Sequence, residues 1–216
     1  MTEPENVIAV IVDVSKSRSH PDRSGLQSTI ESAFADVNAL VASRQPIEPT
    51  VGDEFQGVYD DLALALRATL LARLQMPDGI DCRFGLGRGE IATIGRGVVG
   101  AVQDGSAWWT ARRAIDEART HQYSKLGFVR TWYRSADEHD SDQEALVNAY
   151  LLTRDFIVDG MNPRARRLLR GQLLGQTQAQ LAESEGITQS AVSQNLARSG
   201  ANALVAGDAQ LPAGIR

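Results

Sequence analysis

Val7-Ile8-Ala9-Val10-Ile11-Val12-Asp13 is an unbroken apolar run closed by an acid. β-Branched residues dominate it and no polar residue interrupts it, the pattern of a strand covered on both faces. An acid directly after such a strand stands where a central strand emerges from its sheet, a common place for ligands. Forty residues later, Gly52-Asp53-Glu54-Phe55 falls between two short strand-forming runs, Pro46 to Val51 and Phe55 to Tyr59. Gly tolerates the positive φ of a tight turn and Asp is comfortable beside it, so the pair predicts a hairpin that projects its acid. Asp13 and Asp53 are therefore expected to converge, and two carboxylates at strand ends suit a divalent cation.

Between these strands, Leu26, Ile30, Phe34, Val37 and Val41 recur at helical spacing and predict an amphipathic helix lying back over the sheet. A second helix is predicted from Asp60 to Leu74, with Asp60 or Asp61 as N-cap and Met76-Pro77-Asp78-Gly79 as its stop. Ile80 to Ile91 reads as a strand whose Gly85, Gly87 and Gly89 suggest close backbone approach. A glycine-rich loop (Gly95, Gly97, Gly100), a helix through Trp108 to Ala118 and a strand from Phe128 to Tyr133 complete the series. The order predicts an α+β fold, a ferredoxin-like, palm-type split βαβ domain with helices on one face, over residues 1–138. Residues 139–160 read as a connecting helix, 161–205 as a small all-α domain and 206–216 as a flexible tail.

Composition agrees with a globular chain: of 216 residues, 43% are hydrophobic and 23% charged, and no apolar run reaches the roughly 20 residues that span a bilayer. No membrane partner is expected. The acidic start, Met1-Thr2-Glu3-Pro4-Glu5, lacks the basic region of a signal peptide, so a cytoplasmic location is expected. The lone Cys82 excludes an internal disulfide and reads as a small core residue. Charge is unevenly spread. Residues 1–160 carry 16 Lys+Arg against 24 Asp+Glu, whereas residues 161–205 carry five Arg against Glu183 and Glu185. A basic module attached to an acidic body is the electrostatic footprint of nucleic-acid binding.

That basic segment contains a helix-turn-helix spacing: Ala182 where two helices cross, Gly186 at the turn, and Leu181, Ile187, Val192 and Leu196 toward the core. Thr188 can cap the second helix, leaving Gln189, Ser190, Ser193 and Gln194 outside to meet base edges or phosphates. Arg164, Arg166, Arg167, Arg170 and Arg198 are candidates for the phosphate backbone of duplex DNA. Because such modules read paired half-sites, a homodimer is expected.

Four blocks then acquire a shared meaning: Ile11-Val12-Asp13-Val14-Ser15-Lys16-Ser17-Arg18, Thr50 to Gly57, Arg83 to Ile91, and Asp104-Gly105-Ser106-Ala107-Trp108-Trp109-Thr110-Ala111-Arg112. Together they resemble the SatD family, which joins such a domain to a C-terminal helix-turn-helix. More distantly they are similar to class III nucleotide cyclases and GGDEF-type diguanylate cyclases. That resemblance implies a nucleotide-cyclase-like palm in which Asp13 and Asp53 hold Mg²⁺ with a bound nucleotide. The loop of Ser15, Lys16, Ser17 and Arg18 offers hydroxyls, cations and backbone N–H groups to its phosphates, and Arg112 or Arg113 could steady developing charge. Glu54 reads either as a further acid of the site or as a solvated or arginine-paired carboxylate, and Trp108-Trp109 as core or interface. In the cyclase pattern an Asn precedes the helix Arg by four residues, where this chain has Trp108, so no catalytic residue is assigned. The reading that follows is a transcriptional regulator whose first half senses a nucleotide or phosphate ligand. An active nucleotidyl cyclase or nucleotide-processing enzyme, and a non-catalytic interaction scaffold, are the alternatives.

Overall fold

Strand alternation explains why residues 7–12 of the first strand are apolar without interruption. The computed structural model describes residues 5–15, 22–50, 53–97 and 100–211. Its elements are β1 (Glu5–Val14), α1 (Arg23–Leu40), β2 (Gln45–Pro49), β3 (Glu54–Tyr59), α2 (Leu62–Gln75), β4 (Cys82–Gly97), β5 (Gly100–Asp104), α3 (Ser106–Gln122), β6 (Thr131–Ser135), α4 (Ser141–Asp159), α5 (Pro163–Leu173), α6 (Gln178–Glu185), α7 (Gln189–Arg198) and α8 (Ala201–Asp208). Ile8, Val10, Val12 and Val14 of β1 face a core shared with α1 and α2. Val7, Ala9 and Ile11 face the opposite way, onto Ala107, Ala111 and Ile115 of α3. Helices therefore cover both faces of the sheet, not one as expected, because residues 7–12 of β1 have no polar face to leave in water.

The sheet runs β2-β3-β1-β4-β5, with β6 parallel to β4. Its β2-β3-β1-β4 portion is antiparallel, in the split βαβ order predicted from sequence. Asp61, rather than Asp60, caps α2 by accepting from the Leu64 amide at 2.9 Å. The expected glycine-rich loop is instead the end of β4, which continues to Gly97 and pairs with β5.

Gly85, Gly87 and Gly89 let α3 lie directly on the sheet. A Cβ at Gly87 would meet the Ala111 nitrogen at 2.1 Å and the Ala107 oxygen at 2.3 Å, and one at Gly85 the Ala111 oxygen at 2.3 Å. Small residues on both sides thus bring strand and helix backbones together, the close approach that the glycine spacing suggested.

The segment read as a connecting helix does more than connect: α4 satisfies the free edge of β6 with side chains. Glu144 accepts from the Ser135 amide at 2.6 Å, and Asn148 bonds both the N–H and the C=O of Tyr133, at 2.9 and 3.0 Å. Asp155 accepts from the amides of Arg130 and Thr131 at 2.8 and 2.7 Å. An edge strand is thereby closed to further pairing. Arg154 and Asp155 are both fully buried, and Asp155 also binds Arg73 of α2 at 2.9 Å. Beyond α4, the apolar residues of α5 to α8 join the same core as α1 and α2. Arg67 of α2 fastens them by donating to the Leu173 carbonyl at 2.7 Å and pairing with Asp208 at 3.2 Å. The helix expected to run from Gln189 to Leu204 is broken at Gly200, whose φ of 77° only glycine adopts readily, into α7 and α8. Through Asp208, α8 extends into the segment read as a tail. No helix among the described residues is long and apolar enough to cross a membrane.

Candidate functional site

Sheet register assembles the first cluster. Asp13 lies opposite Glu54 of β3 and Arg83 of β4, so all three side chains share the face that α3 crosses. Arg112 and Arg119, two turns apart on α3, come down onto these acids. Arg83 grips Asp13 through both oxygens, at 2.7 and 2.9 Å, and Arg119 donates to the same carboxylate. Arg112 makes a bidentate pair with Glu54 at 2.6 and 2.8 Å. Those hydrogen bonds hold the Arg112 guanidinium above its ordinary range. Of the readings open for Glu54, the arginine-paired acid is the one formed.

Asp53, half-buried in the turn ahead of β3, lies one residue before the partner of Asp13. Mg²⁺ favours several oxygen ligands. At Asp13 both oxygens already accept from guanidinium groups, whose positive charges oppose a further cation, so this arrangement does not fit a divalent ion there. Among the described residues no group of three or more His, Cys, Asp or Glu could hold a metal. No local sequence signal marks Arg83 and Arg119 as the partners of Asp13. Arg83 opens the run Arg83 to Ile91, but only strand register sets it opposite the acid.

Beside this cluster, a cleft of about 500 Å³ opens between α3 and the sheet, lined by Ile11, Gln56, Gln103, Asp104, Trp108, Trp109, Arg112 and Arg113. Trp108 packs against the α3-side core, whereas Trp109 is 62% exposed, its indole N–H donating to Asp104 at 3.0 Å. An exposed indole beside two guanidiniums suits a flat ring carrying an anionic group, by stacking and by charge-assisted hydrogen bonding. Ser15 lines a different cavity, so Ser15 and Arg112 are not brought together. Lys16, Ser17 and Arg18 lie outside the described residues.

In the C-terminal helices, α6 and α7 are joined through Gly186, left-handed at φ 63°. The Thr188 hydroxyl caps α7, accepting from the Ala191 amide at 3.1 Å. Val192 and Leu196 are fully buried, which leaves Gln189, Ser190, Ser193, Gln194 and Arg198 exposed. Arg164 and Arg167 are also exposed but share one acid. Arg167 binds Glu185 through both oxygens at 2.6 and 2.7 Å, and Arg164 approaches it at 3.5 Å. Hydrogen bonding from Arg167, with the added charges of both arginines, pulls the Glu185 carboxyl below its ordinary range. Arg166, grouped with the phosphate-contacting arginines from sequence, turns inward and lines the cavity that holds Ser15.

The fold and site thus define an α+β protein with a two-sided sheet, an arginine-gripped acid pair and an appended helical bundle. The chain belongs to the SatD family, whose sequence pattern matches residues 7–207. No curated protein matches it. Among solved structures, a bacterial light-regulated adenylyl cyclase is similar at a TM-score of 0.42 and 12% identity, over 54% of this chain and 41% of that one. The chain therefore spans less than half of that cyclase. The catalytic core of a rhodopsin-guanylyl cyclase with converted specificity, in complex with ATPαS, gives a TM-score of 0.39 and 19% identity, over 60% of this chain and 88% of that one. A guanylyl cyclase domain from the aquatic fungus Blastocladiella emersonii gives 0.38 and 20%, over 53% and 77% respectively.

Proposed function

We propose that this chain is a cytoplasmic, homodimeric DNA-binding regulator, in which α6 and α7 act as a helix-turn-helix and the cleft beside α3 receives a nucleotide-type ligand. One observation carries the reading. On α7, Gln189, Ser190, Ser193 and Gln194 project into solvent from a helix that is capped at its start and anchored by the buried Val192 and Leu196. Carboxamides and hydroxyls on a rigid helix can read base edges, with Gln pairing bidentately to adenine, while Arg198, Arg164 and Arg167 supply charge for phosphates. The ligand reading is supported by the exposed Trp109 indole beside Arg113 and the Glu54-paired Arg112, which needs no metal at Asp13. With both oxygens of Asp13 engaged, ligand binding without turnover is the function proposed for that half.

The test is fluorescence anisotropy on duplexes selected from random sequence, titrated with salt. Binding should weaken steeply as salt rises. Gln194→Ala should relax preference at one base position by about 1–3 kcal/mol, and Arg198→Ala should weaken all sequences alike. Absence of salt-dependent binding to any duplex would remove the DNA reading. For the ligand, thermal shifts with ATP, GTP and cyclic nucleotides, with and without Mg²⁺, should show one that adds roughly 2.7 kcal/mol at 100 times its Kd. Cyclic product formed from ATP or GTP, and lost in Asp53→Ala, would replace the regulator with an enzyme.

A further inference from the structure

Helical spacing along Pro163-Arg164-Ala165-Arg166-Arg167-Leu168-Leu169 sorts the arginines of α5. Ala165, Leu168 and Leu169 are buried, and Arg164 and Arg167 reach Glu185 on one flank. Arg166 falls on the other flank, against the α+β unit. There it enters a cavity of about 300 Å³ whose polar lining includes Ser15 after β1, Arg73 at the end of α2, Gln122 at the end of α3, Arg130, and Asp159 at the end of α4. The cavity thus lies where the sheet unit meets the C-terminal helices.

The charges around it are nearly, but not fully, matched. Arg130 is committed to Asp81, to Asp159 at 3.6 Å, and to the carbonyls of Gly127 and Val129 at 2.6 and 2.9 Å. Arg73 and Arg154 are committed to Asp155. Cys82 contributes no charge, since burial raises its thiol pKa. Three guanidiniums (Arg73, Arg130, Arg166) and two carboxylates (Asp81, Asp159) line the cavity, Arg73 and Arg154 share Asp155 behind it, and among the described residues no acceptor is bonded to the Arg166 guanidinium. Its Nε is buried without a partner, and so is the Ser15 hydroxyl lining the same cavity. A buried donor left unsatisfied is costly and is usually answered by a water or an ion. Here two donors from separate elements lack an acceptor beside one unmatched positive charge.

We propose that this cavity is a phosphate-class oxyanion site, separate from the α3 cleft, in which Arg166 and the Ser15 hydroxyl donate to one bound anion. An oxyanion accepts from both donors and supplies the missing negative charge, and guanidinium is the side chain best suited to that geometry. Bound there, the anion ties the end of β1 to α5.

Full-length protein in a phosphate-free buffer is titrated with inorganic phosphate or with ribose 5-phosphate, at ionic strength held constant with chloride, and followed by melting temperature and by ³¹P line width. Saturable binding of either probe is expected, at least tenfold weaker in Arg166→Met, which keeps the packing stem of the side chain, and several-fold weaker in Ser15→Ala. Tighter binding of ribose 5-phosphate marks the anion as part of a larger metabolite, and equal binding marks free phosphate. Retention of binding in Arg113→Gln separates this site from the α3 cleft. No effect beyond chloride, meaning that water alone fills the cavity, would overturn the proposal. So would unchanged affinity in both Arg166→Met and Ser15→Ala, or loss of binding in Arg113→Gln. None of these results depends on DNA or nucleotide binding elsewhere.

Discussion

Gly87→Ala is the sharpest test of how α3 is seated. The added Cβ would stand 2.1 Å from the Ala111 nitrogen and 2.3 Å from the Ala107 oxygen, where ordinary contacts begin at 3.4 Å. Both obstacles are helix backbone, so no rotamer change relieves them. The helix must withdraw by about 1.3 Å, the difference between 3.4 and 2.1 Å. A gap of even 0.5–1 Å forfeits a quarter to a half of each dispersion contact, and those at stake join Val7, Ala9 and Ile11 to Ala107, Ala111 and Ile115. Overpacking usually costs 1–3 kcal/mol, and with backbone on both sides a loss of about 3 kcal/mol is expected. The same withdrawal would pull Arg112 from Glu54 and Arg119 from Asp13. Urea denaturation of the variant beside Gly95→Ala, whose Cβ would meet nothing within 4 Å, measures the difference. The control should change stability by less than about 1 kcal/mol. A loss below about 1 kcal/mol in Gly87→Ala would refute the claim that helix and sheet backbones are in direct contact.

Two further outcomes are expected. Asp155→Ala should cost about 3–5 kcal/mol by urea denaturation, because it strands two buried guanidiniums as well as the amides of Arg130 and Thr131; Asp155→Asn, which keeps an acceptor, should cost less. Glu185 has a folded pKa below its unfolded one, so its contribution is present above the unfolded carboxylate value and is lost as pH falls through the folded value. With Arg167 55% exposed, that contribution is about 0.2–1 kcal/mol, and the acid-side fall in urea midpoint should be smaller by that amount in Glu185→Gln.

Local signals were legible because they act over one turn or one strand. The buried β1, the cap at Thr188, the left-handed turn at Gly186 and the glycines of β4 each follow from a few neighbouring residues, and so does the outward face of α7. The split βαβ order followed from the succession of such elements. What only the tertiary structure decided is partner choice. Asp13 meets Arg83 and Arg119 because strand register and the crossing of α3 bring together residues 70 and 106 positions apart. The turn that aims Arg166 into a cavity, while Arg164 and Arg167 reach Glu185, depends on which side of α5 meets the sheet unit. The second covered face of the sheet and the sealing of β6 by α4 depend equally on contacts far apart in sequence. Hydrophobic periodicity tells a helix which side to bury; it carries no information about which charged group will be waiting there.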